Sequence, residues 1–448
     1  MSESLLSVGI DVGTTSTQLV VSRLRVENRA SGFAVPEMVI TDREVLYRSP
    51  VHFTPLSEGK LVDGGKIRSL VEEEYKKAGI LRMEVDTGAV IVTGETSRRE
   101  NARTVMEALS ALAGDFVVTT AGPDLESVLA AKGSGAVDAS RNTEKTVLHM
   151  DIGGGTSNLA LIRDEKILRT GCLNVGGRLV KFSRQGAVTY LSPVLSGICS
   201  WKIGEIPTEQ QRKELARTLA AALEMAAGLR ERTPLLEKLL TEETTKPWQV
   251  PEEEVVISFS GGVADCIRDD VPPLTFGDLG PELGSAIRES SLCRGEYILG
   301  TETIRATVIG AGCHTTQLSG STVYYQNITF PLKNLPVLNI SEASLIKASQ
   351  FRQEKQGVVS MEGIQSPSYR QVAELAEELV RQIQPPILLC LEQDMAKALG
   401  HALAVRLPAN TPVLCIDRIR LEEGSFLDIG APVEDALPVV VKTLVFSK

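Results

Sequence analysis

Ser7-Val8-Gly9-Ile10-Asp11-Val12-Gly13-Thr14-Thr15-Ser16 and Val147-Leu148-His149-Met150-Asp151-Ile152-Gly153-Gly154-Gly155-Thr156 decide how this chain is read. Each is an apolar strand that ends in an Asp-x-Gly turn. A returning apolar stretch follows each turn, residues 17–21 after the first and 159–162 after the second. Strand, tight turn and returning strand make a hairpin. Glycines in the turn let backbone N–H groups come close to a phosphate, and Thr or Ser hydroxyls add donors. Asp11, Gly13, Thr14, Thr15 and Ser16 therefore form one candidate phosphate turn; Gly153, Gly154, Gly155 and Thr156 form the other. Each strand also delivers one carboxylate, Asp11 or Asp151. Two carboxylates facing one cleft repel each other unless a cation lies between them. Mg²⁺ carried by a nucleotide and held partly through water suits that position.

Further glycine turns fit around this pair. Ser260-Gly261-Gly262 directly follows the apolar strand 255–259 and can bring backbone against a base or ribose. Gly310-Ala311-Gly312 suits close packing between a helix and its partner near a hinge. Gly176-Gly177, after Leu173-Asn174-Val175, reads either as part of the nucleotide lining or as a plain strand-end turn. Glu95 follows the strand 89–92 at a Gly turn, where its carboxylate either points into the cleft or complements a helix N-terminus. Asp151 and Glu95 are the two candidates to orient or deprotonate an attacking water.

Competing signatures fail. Gly65-Lys66 resembles the end of a P-loop, but Lys60 stands where the first Gly belongs and Ile67 replaces the Ser or Thr. Gly153 to Asn158 breaks the dinucleotide fingerprint at its final position. Asp428-Ile429-Gly430 lacks hydroxyls, since Ala431-Pro432 follow, and reads as a turn. The four histidines are scattered, and His149 reads as a satisfied core residue. Arg178, Lys181 and Arg184 read as a solvated basic face.

Periodicity places these motifs in an α/β chain of three units. Residues 1–145 hold a hairpin, a helix with Ile67, Val71 and Tyr75 at helical spacing, the strand 89–92, a helix over 102–113 and the strand 116–118. The pattern restarts over 146–318, with a long Ala/Leu-rich helix over 209–229 and a polar excursion over 241–254. A third α/β unit, 319–448, carries strands near 322–325, 413–416 and 439–446 and a helix over 369–383.

Composition narrows the partners. The 448 residues carry 47 Lys+Arg against 57 Asp+Glu, a net charge of −10, which disfavours a nucleic-acid or anionic-membrane surface. Only 10 Phe, 7 Tyr and 2 Trp leave little for stacking single-stranded bases. No apolar run approaches a membrane span, and Met1-Ser2-Glu3-Ser4 has no basic stretch of a secretory signal. The 7 cysteines form no CxxC pair and read as free thiols in a reducing cytoplasm.

The order Asp-x-Gly-Thr-Thr, Asp-x-Gly-Gly-Gly-Thr, Ser-Gly-Gly, Gly-Ala-Gly resembles the actin, sugar-kinase and heat-shock-chaperone ATPase superfamily. That resemblance implies two ribonuclease-H-like domains closing over ATP and Mg²⁺, with Ser260 to Gly262 on the adenosine side. It also implies hinges near residues 92–98 and 304–312.

Residues 7–18, the stretch Thr93-Gly94-Glu95-Thr96-Ser97-Arg98, and Asp278-Leu279-Gly280-Pro281-Glu282-Leu283-Gly284 are similar to the reactivating proteins of ethanolamine ammonia-lyase, over essentially the whole chain. This second resemblance implies an ATP- and Mg²⁺-dependent, chaperone-like release of damaged corrinoid from the lyase. Adenosylcobalamin then concerns this chain only through the lyase. It implies a cytoplasmic protein, within or at a bacterial microcompartment, with the lyase as partner and homo-oligomerisation open. A small-molecule kinase and an actin-like filament protein are the other functions open to the same fold.

Overall fold

The computed structural model describes residues 3–13, 16–28, 38–55, 62–93, 117–120, 123–141, 143, 145–241, 248, 250, 255–314, 316–319, 322–339, 357–419, 421, 425–432 and 437–443. In the N-terminal segment, β1 (Glu3–Val12) and β2 (Ser16–Asn28) form the expected hairpin. With β3 (Met38–Arg48), β4 (His52–Phe53), β5 (Thr87–Val92) and β6 (Val117–Thr120) they make a sheet of order β3-β2-β1-β5-β6, with β4 added to β2. Next come β7 (Thr146–Ile152), β8 (Ser157–Arg163), β9 (Lys166–Leu173), a small ribbon β10 (Val180–Phe182) and β11 (Val188–Leu191), then β12 (Val255–Ser260) and β13 (Tyr297–Leu299). The second large sheet runs β9-β8-β7-β12-β13.

The two orders are the same. In each, the first strand pairs antiparallel with its hairpin partner and parallel with the strand that arrives later. The registers also match: Asp11 opposes Gln18, and Asp151 opposes Asn158. This duplicated ribonuclease-H-like arrangement is the fold of the actin-like ATPases.

Alternation along a strand sends neighbouring residues to opposite faces. Val8, Ile10 and Val12 pack under helix α1 (Gly64–Ala78), capped by Asp63 and ended by the left-handed Gly79. Leu148, Met150 and Ile152 face the largest core, shared with the long helix at Glu209–Ala226. Residues of the polar excursion join that core, because Trp248 is buried and donates its indole N–H to the Ala226 carbonyl at 2.7 Å.

The opposite faces carry exchanged helices. Helix α2 (Pro123–Gly133) and the short α3 (Ala136–Arg141) lie on the second sheet, where Ala131 and Ala136 pack against Val147, Ala160 and Ile162. After α4 (Glu209–Ala226), α5 (Pro234–Leu239), α6 (Gly262–Arg268) and α7 (Gly280–Glu289), the helix α8 (Ala306–His314) returns to the first sheet. There Val308, Ile309 and Cys313 meet Leu5, Val20 and Leu24. Helices α2 and α8 cross backbone to backbone. A Cβ on Gly133 would run into the Ala306 carbonyl, and one on Gly310 into the Leu129 carbonyl. Gly9 serves the same approach, since a Cβ there would lie 3.0 Å from the Gly312 nitrogen. The close packing expected of Gly310 to Gly312 is therefore present.

The third sheet has eight strands. They are β14 (Thr316–Leu318), β15 (Tyr324–Gln326), β16 (Leu332–Asn339), β17 (Val358–Met361), β18 (Ile387–Leu391), β19 (Val413–Asp417), β20 (Ser425–Ile429) and β21 (Pro438–Thr443). Their order is β14-β21-β20-β16-β17-β18-β19-β15, parallel from β16 to β19. Helices α9 (Tyr369–Gln382) and α10 (Ala396–Ala404) cover the parallel part. Val440 of β21 is buried with Ala89, Ile91, Leu129 and Ala311, so this unit closes the junction of the two ATPase halves. No helix among the described residues is long and apolar enough to cross a membrane.

Gly310→Val forces a branched side chain into the α2–α8 crossing. Overpacking of this kind costs ~1–3 kcal/mol or more, read as a lower urea midpoint. Gly295→Ala, where a Cβ meets nothing within 4 Å, is expected to leave the midpoint nearly unchanged.

Candidate functional site

Both Asp-x-Gly turns close with the same bond. The Gly13 N–H donates to the Ser16 carbonyl and the Gly153 N–H to the Thr156 carbonyl, each at 2.9 Å. The hairpins thus present Asp11 and Asp151 from the ends of facing strands. Thr14, Thr15 and Glu95, three of the residues expected in the site, lie outside the described residues.

The second turn is braced from behind. The Gly177 N–H donates to the Gly153 carbonyl at 3.1 Å, and the Arg178 N–H to the Gly154 carbonyl at 2.6 Å. Gly176 must lack a side chain, because a Cβ there would lie 2.5 Å from the Gly154 carbonyl oxygen. Gly176 and Gly177 thus support the turn, and both are buried. The N–H groups of Gly154 and Gly155 meet no acceptor among the described residues. They remain as donors for an anion.

Ser260, Gly261 and Gly262 are set against the end of β7. Gly261 has a φ of +85° and donates its N–H to the Thr303 carbonyl at 3.0 Å; a Cβ there would strike the Ile152 carbonyl. Gly262 opens α6 beside Ile304. The Ser260 hydroxyl is committed within the protein: it donates to Asp151 Oδ1 and lies 2.9 Å from His149 Nε2. His149 is fully buried and also meets the Ser258 and Ser134 hydroxyls. Burial pushes its imidazole down to about 3, so it is neutral. It is the satisfied core histidine expected from sequence, yet it stands one hydroxyl away from Asp151, a link that strand periodicity alone did not reveal.

The two carboxylates sense each other. Burial, opposed by the hydrogen bond from Thr93 at 2.8 Å and aided by the charge on Asp151, pushes Asp11 up to about 7. Burial likewise pushes Asp151 up to about 6, against hydrogen bonds from Ser260 and Thr307. Beside them, register places Gln18 next to Asp11 and Asn158 next to Asp151. Both amides are only 4% exposed; their nitrogens donate to Ile304 and Glu126, and Gln18 Oε1 and Asn158 Oδ1 have no hydrogen-bond partner among the described residues. The facing Asp11 and Asp151 carboxylates are the groups that could hold a hard cation through its waters. No cluster of three or more His, Cys, Asp or Glu suited to a metal occurs among the described residues, so such a cation needs oxygens from elsewhere, as nucleotide phosphates would provide.

Of two further features, Arg178 departs from the sequence reading and Asp428 keeps to it in standing outside the phosphate site. Arg178 is not part of a solvated face: it is paired with the buried Asp278 at 3.1 Å. Asp428 is buried in β20, beside Pro438 at the junction with the first sheet, and its turn takes no place beside the phosphate turns.

Two Asp-x-Gly hairpins closing on one cleft define the class as an actin-like ATPase fold. The chain belongs to the ethanolamine utilisation protein EutA family, whose model matches residues 3–447. It is 38% identical to a protein of Salmonella typhimurium (strain LT2) named ethanolamine ammonia-lyase reactivase EutA, over 99% of this chain and 98% of that one. The protein of the same name from Escherichia coli (strain K12) is also 38% identical, with the same coverage. Among solved structures, the Aquifex aeolicus member of the Ppx/GppA family is similar at a TM-score of 0.44 and 14% identity, over 69% of this chain and 97% of that one.

The raised carboxyls set a pH dependence. A carboxyl that holds its proton more tightly when folded makes the folded state bind more protons than the unfolded one. Stability from Asp11 is therefore greatest below its unfolded value near 4 and is lost as pH rises through about 7. Without metal or nucleotide, Asp11→Asn is expected to be more stable than the wild type at pH 8 by ~1 kcal/mol or more. At pH 4 the two are expected to converge, as checked by thermal unfolding across that range.

Proposed function

We propose that this chain is an ATP- and Mg²⁺-dependent reactivase of ethanolamine ammonia-lyase. It opens the inactivated enzyme so that damaged cobalamin leaves and adenosylcobalamin reloads. Membership of the EutA family and the names of relatives 38% identical over nearly full length support the partner. The observation that carries the ATPase part is the facing pair Asp11 and Asp151 beside the unspent N–H groups of Gly154 and Gly155.

In this reading the two hairpin turns hold the phosphates and the two aspartates hold the cation and its waters. Bound Mg·ATP supplies a phosphoanhydride whose hydrolysis can drive a change in the cleft. Asp11, desolvated and repelled by Asp151, returns to its charged form when a cation enters. Asp151, with its carboxyl near 6, is mostly ionised at neutral pH and remains basic enough to take a proton from water. Ser260 fixes that carboxylate, and neutral His149 fixes Ser260. The crossing of α2 and α8 forms the hinge between the halves. The third unit offers the lyase-facing surface, and the site of action is the cytoplasm, within or at a microcompartment.

The decisive assay mixes inactivated lyase with this protein, ATP, Mg²⁺ and adenosylcobalamin and follows ammonia release. Recovery that requires all components supports the reading; recovery equal without this protein or without ATP refutes it.

Asp151→Asn is expected to keep ATP binding while hydrolysis falls by ~10²–10⁴-fold, the usual loss for a general base. Glu95→Gln, made in parallel, exchanges the two roles if it alone abolishes turnover. Binding by calorimetry and phosphate release are measured separately for each variant.

A further inference from the structure

Arg178 leaves the bracing loop beside the second phosphate turn and crosses toward the first. Its stem lies over Gly154: a Cβ placed on that glycine would sit 3.3 Å from the arginine Cδ. Its Nε donates to Asp278 Oδ2 at 3.1 Å, while Asp278 Oδ1 accepts the Gly280 N–H at 2.9 Å at the start of α7. Asp278 is only 5% exposed, so the anchor is built into the second half.

The guanidinium carbon Cζ lies 6.0 Å from the ring centre of Phe53, a residue of the first half. Phe53 is 82% exposed, yet its strand is held firmly. Register pairs it with Ser16, the last residue of the first phosphate turn. The adjacent Thr54 hydroxyl donates to the Gly13 carbonyl at 2.8 Å, and His52 meets the buried Glu74 at 3.1 Å. An exposed aromatic on so rigid a mount is suited to hold a cation only weakly, since an exposed cation–π contact is worth ~0.5–1 kcal/mol.

Only Nε of Arg178 is used. The two terminal amino groups of the guanidinium meet no acceptor among the described residues. The stem that carries them packs against Gly154, whose N–H, like that of Gly155, is also unspent among those residues. A planar fork of N–H donors matches the oxygens of a phosphoryl group. The geometry points to Arg178 as the residue that grips the terminal phosphate of a nucleoside triphosphate, leaving Phe53 for it when the cleft fills. This rests on the ATPase reading above and adds a catalytic residue from outside both Asp-x-Gly turns.

In hydrolysis a bond forms between the water oxygen and the terminal phosphorus. The bond from that phosphorus to the bridging oxygen breaks, and ADP departs with the electron pair. The water proton passes to the Asp151 carboxylate and then to solvent. Arg178 neither gains nor loses a proton; it offsets charge on the non-bridging oxygens.

The test uses the full chain as wild type, Arg178→Ala, Arg178→Lys and Phe53→Leu, each titrated with Mg·ADP and with a Mg-bound non-hydrolysable ATP analogue. Arg178→Ala is expected to weaken the analogue by ~10-fold or more and ADP by less than ~3-fold, a differential that charge-assisted contacts to the terminal phosphate alone would produce. Its hydrolysis is expected to fall by ~10²-fold or more. Phe53→Leu is expected to keep the analogue's affinity or raise it. Equal weakening of both nucleotides, or of neither, overturns the assignment. If the alanine variant fails to fold because Asp278 loses its partner, the lysine variant decides. It keeps a cation for Asp278 but lacks the fork, so a selective loss for the analogue supports the proposal and an unchanged ratio overturns it. A wild type that binds neither nucleotide overturns the ATPase reading itself and this assignment with it.

Discussion

Two helices crossing with their backbones in contact hold this structure together. Helix α2 leaves the N-terminal segment to cover the second sheet, and α8 leaves the second segment to cover the first. They can do so only where Gly133 and Gly310 remove the side chains that would keep them apart. That crossing places the ends of β1 and β7 against one cleft. Everything proposed for the site, from the cation between the carboxylates to the closure of the halves, depends on it.

The same duplication explains why the halves are not identical. Gly9 and His149 occupy matching places on matching strands. Gly9 admits the backbone of α8, whereas His149 fills its place with an imidazole held by Ser134, Ser258 and Ser260. One half is thus shaped for a close helix approach and the other for a buried polar network that ends on Asp151. An unsatisfied imidazole in that position would be costly, and three hydroxyls remove the cost. The asymmetry assigns Asp151 the more firmly oriented carboxylate.

The third unit is joined to the ATPase halves by more than a linker. Its strand β21 buries Val440 against Ala89, Ile91, Leu129 and Ala311, which come from the first sheet and from both crossing helices. Motion of the halves would therefore be felt at β21. Strands hydrogen-bonded side by side move together, so such a motion would pass from β21 into the eight-stranded sheet.

Sequence alone was enough to recognise both hairpins, their Asp-x-Gly turns and the strands that return from them, because glycine turns and period-two apolar runs are local properties that need no partner to be read. It also exposed the duplication, since both halves repeat those local signals in one order. What only the tertiary structure decided was which side chains meet. The sequence places Arg178 among basic residues, and nothing nearby in the chain announces Asp278 or Phe53, one far downstream and the other far upstream. The link from His149 through Ser260 to Asp151 joins adjacent parallel strands whose register no local pattern specifies. The exchange of α2 and α8 was hidden for the same reason. A helix's apolar face tells that it is buried but not which sheet buries it, and that choice is made by close packing between segments remote in the chain.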